Sequence, residues 1–93
     1  MIVGICVIEL YIPHIHSLKE KRKVLLGIKN RIKNRFNISI AEVDAQDKWQ
    51  KAVLGVTTIA NDQRFVNEVL DKVINFISSY PEIEVIHTQI EFV

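Results

Sequence analysis

From Ile2 to Ile12 the chain reads IVGICVIELYI, and apart from Gly4 its even positions, Ile2, Cys6, Ile8, Leu10 and Ile12, are all apolar. Successive side chains of a strand point to opposite faces, so this period predicts a strand over residues 2–12 with one continuous apolar face. The odd positions carry Val3, Ile5 and Val7 before Glu9 and Tyr11 interrupt them. The even face is therefore expected to meet the main core, and apolar residues on both faces mark a central strand. Pro13 has no N–H to give a ladder and ends the strand.

The period then changes. Ser17–Phe36 reads SLKEKRKVLLGIKNRIKNRF, in which Leu18, Leu25, Ile28, Ile32 and Phe36 recur at helical spacing as a buried stripe. Ser17 is the expected N-cap and Glu20, three residues on, completes a capping box. Lys21 lies near the stripe and is expected to lay its methylenes along it. Asn37 is the expected left-handed residue past the helix end. Ile38–Val43 predicts a second strand, residues 44–51 a polar connection, and Ala52–Ala60 a third strand. Asn61 and Asp62 supply caps for a helix over Gln63–Ser79, whose stripe is Phe65 or Val66, Val69, Leu70, Val73, Ile74 and Ile77; Pro81 follows it. Glu82–Val93 predicts a fourth strand, with Ile86, Ile90 and Phe92 on one face and His87, Gln89 and Glu91 on the other.

The order β-α-β-β-α-β predicts an α+β, ferredoxin-like fold. Right-handed crossovers place both helices on one face of a four-stranded antiparallel sheet of order 4-1-3-2. Residues 1–93 are expected to form a single domain, with the second sheet face left without a helix.

Composition adds limits. With 48% hydrophobic and 25% charged residues the chain is globular and able to bury one core. Cys6 is the only cysteine, which excludes an intrachain disulfide and a cysteine metal cluster; it is expected as a small buried hydrophobe. No secretory signal pattern is present, and no run reaches the roughly 18 apolar residues of a membrane span, so a cytoplasmic protein without membrane association is expected. The formal net charge of +1 conceals a strong polarity. Eight of the twelve Lys and Arg residues lie between Ser17 and Phe36 against Glu20 alone, so that stretch carries +7 and the rest of the chain −6.

A helix so basic is the footprint of a nucleic-acid surface, because each cation that meets a phosphate releases counterions. Lys19, Arg22, Lys23, Lys29 and Lys33 are the candidate RNA-binding residues. No strand carries the aromatics of an RNA-recognition motif and no GXXG loop is present, so backbone or shape recognition is expected. An acidic protein surface is the competing partner. Trp49, alone in a polar hairpin, is a candidate to stack on a base or anchor an interface, against packing back over the sheet. His14, His16, Asp44 and Asp47 are expected on one side of the molecule, where a divalent metal or acid–base chemistry is the alternative to ordinary turn residues. Their spacings are not ligand signatures, and neither metal nor cofactor is expected. Val3, Ile5 and Val7 on the open face are the candidate homodimer interface. No P-loop, G-x-G-x-x-G or nucleophile elbow occurs, and a non-enzymatic protein is expected.

The blocks SLKEKR at Ser17–Arg22, RFNISIAEVD at Arg35–Asp44, QDKWQKAVLGV at Gln46–Val56 and the Asn61–Asp62 pair resemble the YlxP-like family of small bacterial proteins, essentially end to end. The resemblance implies a ferredoxin-like domain of unknown function. Genes of that family often neighbour those of translation-initiation and ribosome-maturation factors, which implies by association a role in ribosome assembly or translation, with RNA or a ribosomal subunit as partner. No catalytic residue comes with it, and the Pro13–His16 turn is particular to this chain.

Overall fold

Both periodicities are realised in a computed structural model that describes residues Met1–Val93. The elements are β1 (Ile2–Tyr11), α1 (Leu18–Arg35), β2 (Ser39–Asp44), β3 (Lys51–Ala60), α2 (Gln63–Ser78) and β4 (Glu84–Phe92). The strands form one antiparallel sheet in the order β2-β3-β1-β4, which is the expected 4-1-3-2 read from the other edge. The architecture is α+β, and the element order is consistent with a ferredoxin-like arrangement.

The even residues of β1 do face the core. Cys6, Ile8, Leu10 and Ile12 are buried in one apolar cluster with Leu54 and Val56 of β3, Leu25, Ile28 and Ile32 of α1, and Val66, Leu70, Val73 and Ile77 of α2. Both helices thus pack on the same sheet face. Gly4 sits in the even row because α2 crosses there: a Cβ at this position would overlap Val66 Cγ1 and come within 2.9 Å of Leu70 Cδ1.

Three local expectations are corrected. Asn37 is not left-handed: Ala45, at φ 59°, is the one non-glycine residue with positive φ, and α1 instead ends as Phe36 turns extended toward β2. The capping box is displaced by one residue, since Ser17 Oγ accepts from Glu20 N–H while Glu20 Oε2 accepts from His16 N–H rather than from Ser17. Ile86 does not face the core. The β1–β4 register slips between Glu9 and Leu10, Ile86 falls between His87 and Val85 at the bulge, and its side chain is exposed.

Candidate functional site

The β2–β3 hairpin is fastened to the first turn of α1 by a buried lysine. Lys21 stands four residues before Leu25 on the buried stripe, and its side chain is completely enclosed. Its ammonium donates to the carbonyls of Ala45 (2.7 Å), Lys48 (2.6 Å) and Lys51 (2.9 Å), which matches its three protons to three acceptors. Glu42 Oε2 lies 2.8 Å away and balances the charge. This oxygen is buried and meets the ammonium as an ion pair, with no hydrogen bond of its own.

Lys21 therefore holds the loop rather than the outer surface. Ala45 and Lys48 bound a turn closed by Lys48 N–H donating to Ala45 O at 3.0 Å, and the ammonium takes the carbonyls at both ends. Two further bonds join the hairpin to the segment before α1: Ile12 N–H donates to Gln50 O at 2.8 Å, and Gln50 Nε2 donates to Pro13 O at 2.8 Å. The start of α1 and the hairpin form one end of the molecule, and there Trp49 stands 53% exposed.

The five candidate cations occupy the outer side of α1. Lys19, Arg22, Lys23 and Lys33 are exposed and Lys29 half-buried. The spacing of Lys19, Arg22, Leu26, Lys29 and Lys33 puts them along one flank, with Lys23 beside it. None of the five makes a side-chain hydrogen bond, and the ion pair of the chain, Lys21–Glu42, is interior. Glu20, the acid of α1, has its carboxylate turned to the His16 amide. The cations are left free.

The remaining two arginines of α1 face the opposite flank, which sequence reasoning did not single out. Arg31 Nη1 donates to Tyr80 Oη at 2.8 Å with its guanidinium 5.8 Å from the ring centre, and the Arg35 guanidinium lies 5.2 Å over Phe76. Phe76 meets Tyr80 edge-on at 5.7 Å and Phe36 at 6.4 Å. Between these side chains runs a groove of about 560 Å³. The signal was in the spacing, arginines four apart on α1 and aromatics four apart at the end of α2, but it forms a site only where the helices meet.

His14, His16 and Asp47 are exposed outside the helices and strands, Asp44 is exposed at the end of β2, and no group of three His, Cys, Asp or Glu side chains comes together in a metal-holding arrangement. Cys6 is buried, and that burial, with the charge of Asp71 adding, pushes its thiol up to about 11. A thiol of that kind is protonated at neutral pH and a poor nucleophile. No helix is long and apolar enough to cross a membrane.

The sequence model of a family described as "Protein of unknown function (DUF503)" matches residues 3–90. A Bacillus subtilis (strain 168) protein described as "Uncharacterized protein YlxP" is 39% identical over 90 residues, which cover 97% of this chain and 98% of that relative. The chain belongs to the DUF503 family. In this DUF503 chain the SLKEKR and QDKWQ blocks are bonded to each other, since Lys21 lies in the first and the Lys48 carbonyl in the second. The two most recognisable stretches are thus two halves of one fastening.

The sheet face away from the helices carries the other candidate surface. Val3, Ile5 and Val7 are half-buried there, beside Ile59 and Val43, which are about half exposed. Val43 lies over Gly55, where a Cβ would come within 2.9 Å of Val43 Cγ1. Glu9 on β1 and Glu91 on β4 share this face. Lys51, opposite Tyr11, is on the same face.

Proposed function

We propose that the protein is a cytoplasmic, non-enzymatic RNA- or ribonucleoprotein-binding domain on a ferredoxin-like scaffold, acting in ribosome maturation or translation. It docks through the outer face of α1 and the adjoining Trp49 hairpin. The observation that carries this reading is five cations on one helix face without a carboxylate partner. Cations satisfied within a fold would be paired; these stand ready for phosphates. The open sheet face fits RNA poorly, because it offers Glu9 and Glu91 where an RNA-binding sheet offers aromatic platforms.

Charge reversal tests the reading. The triple variant Lys19→Glu, Arg22→Glu, Lys33→Glu is expected to fold as before and to lose binding to ribosomal RNA fragments in fluorescence anisotropy. Undiminished binding by the folded variant contradicts it.

A second reading, a self-associating module without nucleic-acid binding, draws on the apolar patch of Val3, Ile5, Val7, Val43 and Ile59, which no layer of this chain covers. Sedimentation equilibrium is expected to give a homodimer that Ile5→Lys converts to monomer. A wild-type monomer throughout the micromolar range removes this reading.

A further inference from the structure

The groove between the end of α1 and the end of α2 brings two arginines and an aromatic wall together. Arg31 and Arg35 sit on adjacent turns, with Cβ atoms roughly 5–6 Å apart in such a pair, and aromatic rings hold both guanidiniums in place. One donor is committed, from Arg31 to Tyr80. The other N–H groups of both forks have no acceptor in the chain. The lining contains no carboxylate, and Asn34 adds a side-chain amide without a hydrogen bond. Glu82 borders a separate hollow on the far side of Arg31 and Tyr80 and makes no ion pair. An adjoining hollow shares Arg35 and Phe76 and adds Lys72, a third cation.

Two forks on neighbouring turns line the same groove, and a phosphate is an acceptor for guanidinium donors of this kind. The groove is far larger than a phosphate requires, and its size and aromatic wall leave room for a flat ring against Tyr80 or a guanidinium plane. We propose that this groove binds a nucleoside monophosphate group, its phosphate between Arg31 and Arg35 and its base against Tyr80. The site is separate from the flank of Lys19, Arg22 and Lys33 and does not rest on RNA binding there. A free mononucleotide and one unit of a single-stranded RNA present the same chemistry.

The test is an NMR titration of the full chain with AMP, UMP, inorganic phosphate, a hexauridylate oligonucleotide and a hexaglutamate peptide. Saturable shifts are expected at the Arg31 and Arg35 side chains and at Tyr80, with AMP or UMP bound at least tenfold more tightly than phosphate. Arg31→Gln and Arg35→Gln are each expected to weaken this at least tenfold, while Arg35→Lys, which keeps charge and fold, loses the fork and weakens it several-fold. The charge-reversed Lys19, Arg22, Lys33 variant keeps mononucleotide binding, so the groove and the α1 flank fail or succeed separately. Binding of the oligonucleotide alone, lost in Arg31→Gln and Arg35→Gln, supports the site with an RNA chain as its source. Three results overturn the proposal: no groove shifts with any nucleotide probe, binding indifferent to both arginine variants, or tighter binding of hexaglutamate at the same residues.

Discussion

A lysine ammonium carries three protons, and Lys21 finds a backbone carbonyl for each inside the fold. Removing it strands those carbonyls and the buried Glu42 oxygen together. Lys21→Met, which keeps the aliphatic stem, is expected to cost about 3 kcal/mol or more in urea unfolding. Amide exchange at Lys48 should rise with it; a loss below about 1 kcal/mol with an unchanged hairpin contradicts the assignment. The position was legible, because Lys21 sits on the apolar stripe. The role was not. Its partners are main-chain oxygens of a loop 24 to 30 residues away, and carbonyls leave no mark in side-chain pattern. Cys6 offers a pH-dependent prediction. An unfolded thiol loses its proton near 9.0 and the folded one near 11, so the folded state binds more protons between these values. Stability contributed by the thiol is present below pH 9 and is lost as pH rises toward 11. Denaturant midpoints measured across that window should fall further for the wild type than for Cys6→Ala, and parallel curves contradict the shift.

At the scale of elements, two glycines give opposite expectations. Gly27 lies in the middle of α1 with nothing within 4 Å of where a Cβ would stand, so Gly27→Ala should stabilise the protein by up to about 1 kcal/mol. Gly4→Ala drives a methyl into Val66 beneath α2 and should cost about 1–3 kcal/mol. Thermal melts of the two variants shifting in opposite directions check how closely each helix packs. All six elements were legible because the periods of two and 3.6 are clean and Pro13, Asp62 and Pro81 punctuate them. The misses came where tertiary geometry decides. Phe36 runs straight into the approach to β2, so α1 needs no left-handed residue at Asn37; a bulge in the β1–β4 ladder turns Ile86 outward. The Arg31–Tyr80 and Arg35–Phe76 contacts depend on how the two helices meet, which neither helix pattern contains.

Over the whole molecule, charge and apolarity are sorted onto different faces. The outer side of α1 presents Lys19, Arg22, Lys23, Lys29 and Lys33, while the open sheet face carries Val3, Ile5 and Val7 with Glu9, Glu91 and Lys51. Association through the sheet would cover none of those cations, so a dimer would present two basic helices to a nucleic acid. Binding carried by cations that neutralise phosphates must weaken steeply with salt. Five contacts imply a fall of about a hundredfold (single strand) to about five-hundredfold (duplex) between about 50 and about 200 mM monovalent salt. The most direct measurement is co-sedimentation of the protein with purified ribosomal subunits through that salt range, for the wild type beside the Lys19→Glu, Arg22→Glu, Lys33→Glu variant. The account predicts that the wild type pellets with a subunit at low salt and is released as salt rises, and that the variant stays in the supernatant throughout. A wild type that never pellets, or one whose pelleting is indifferent to both salt and charge reversal, contradicts it.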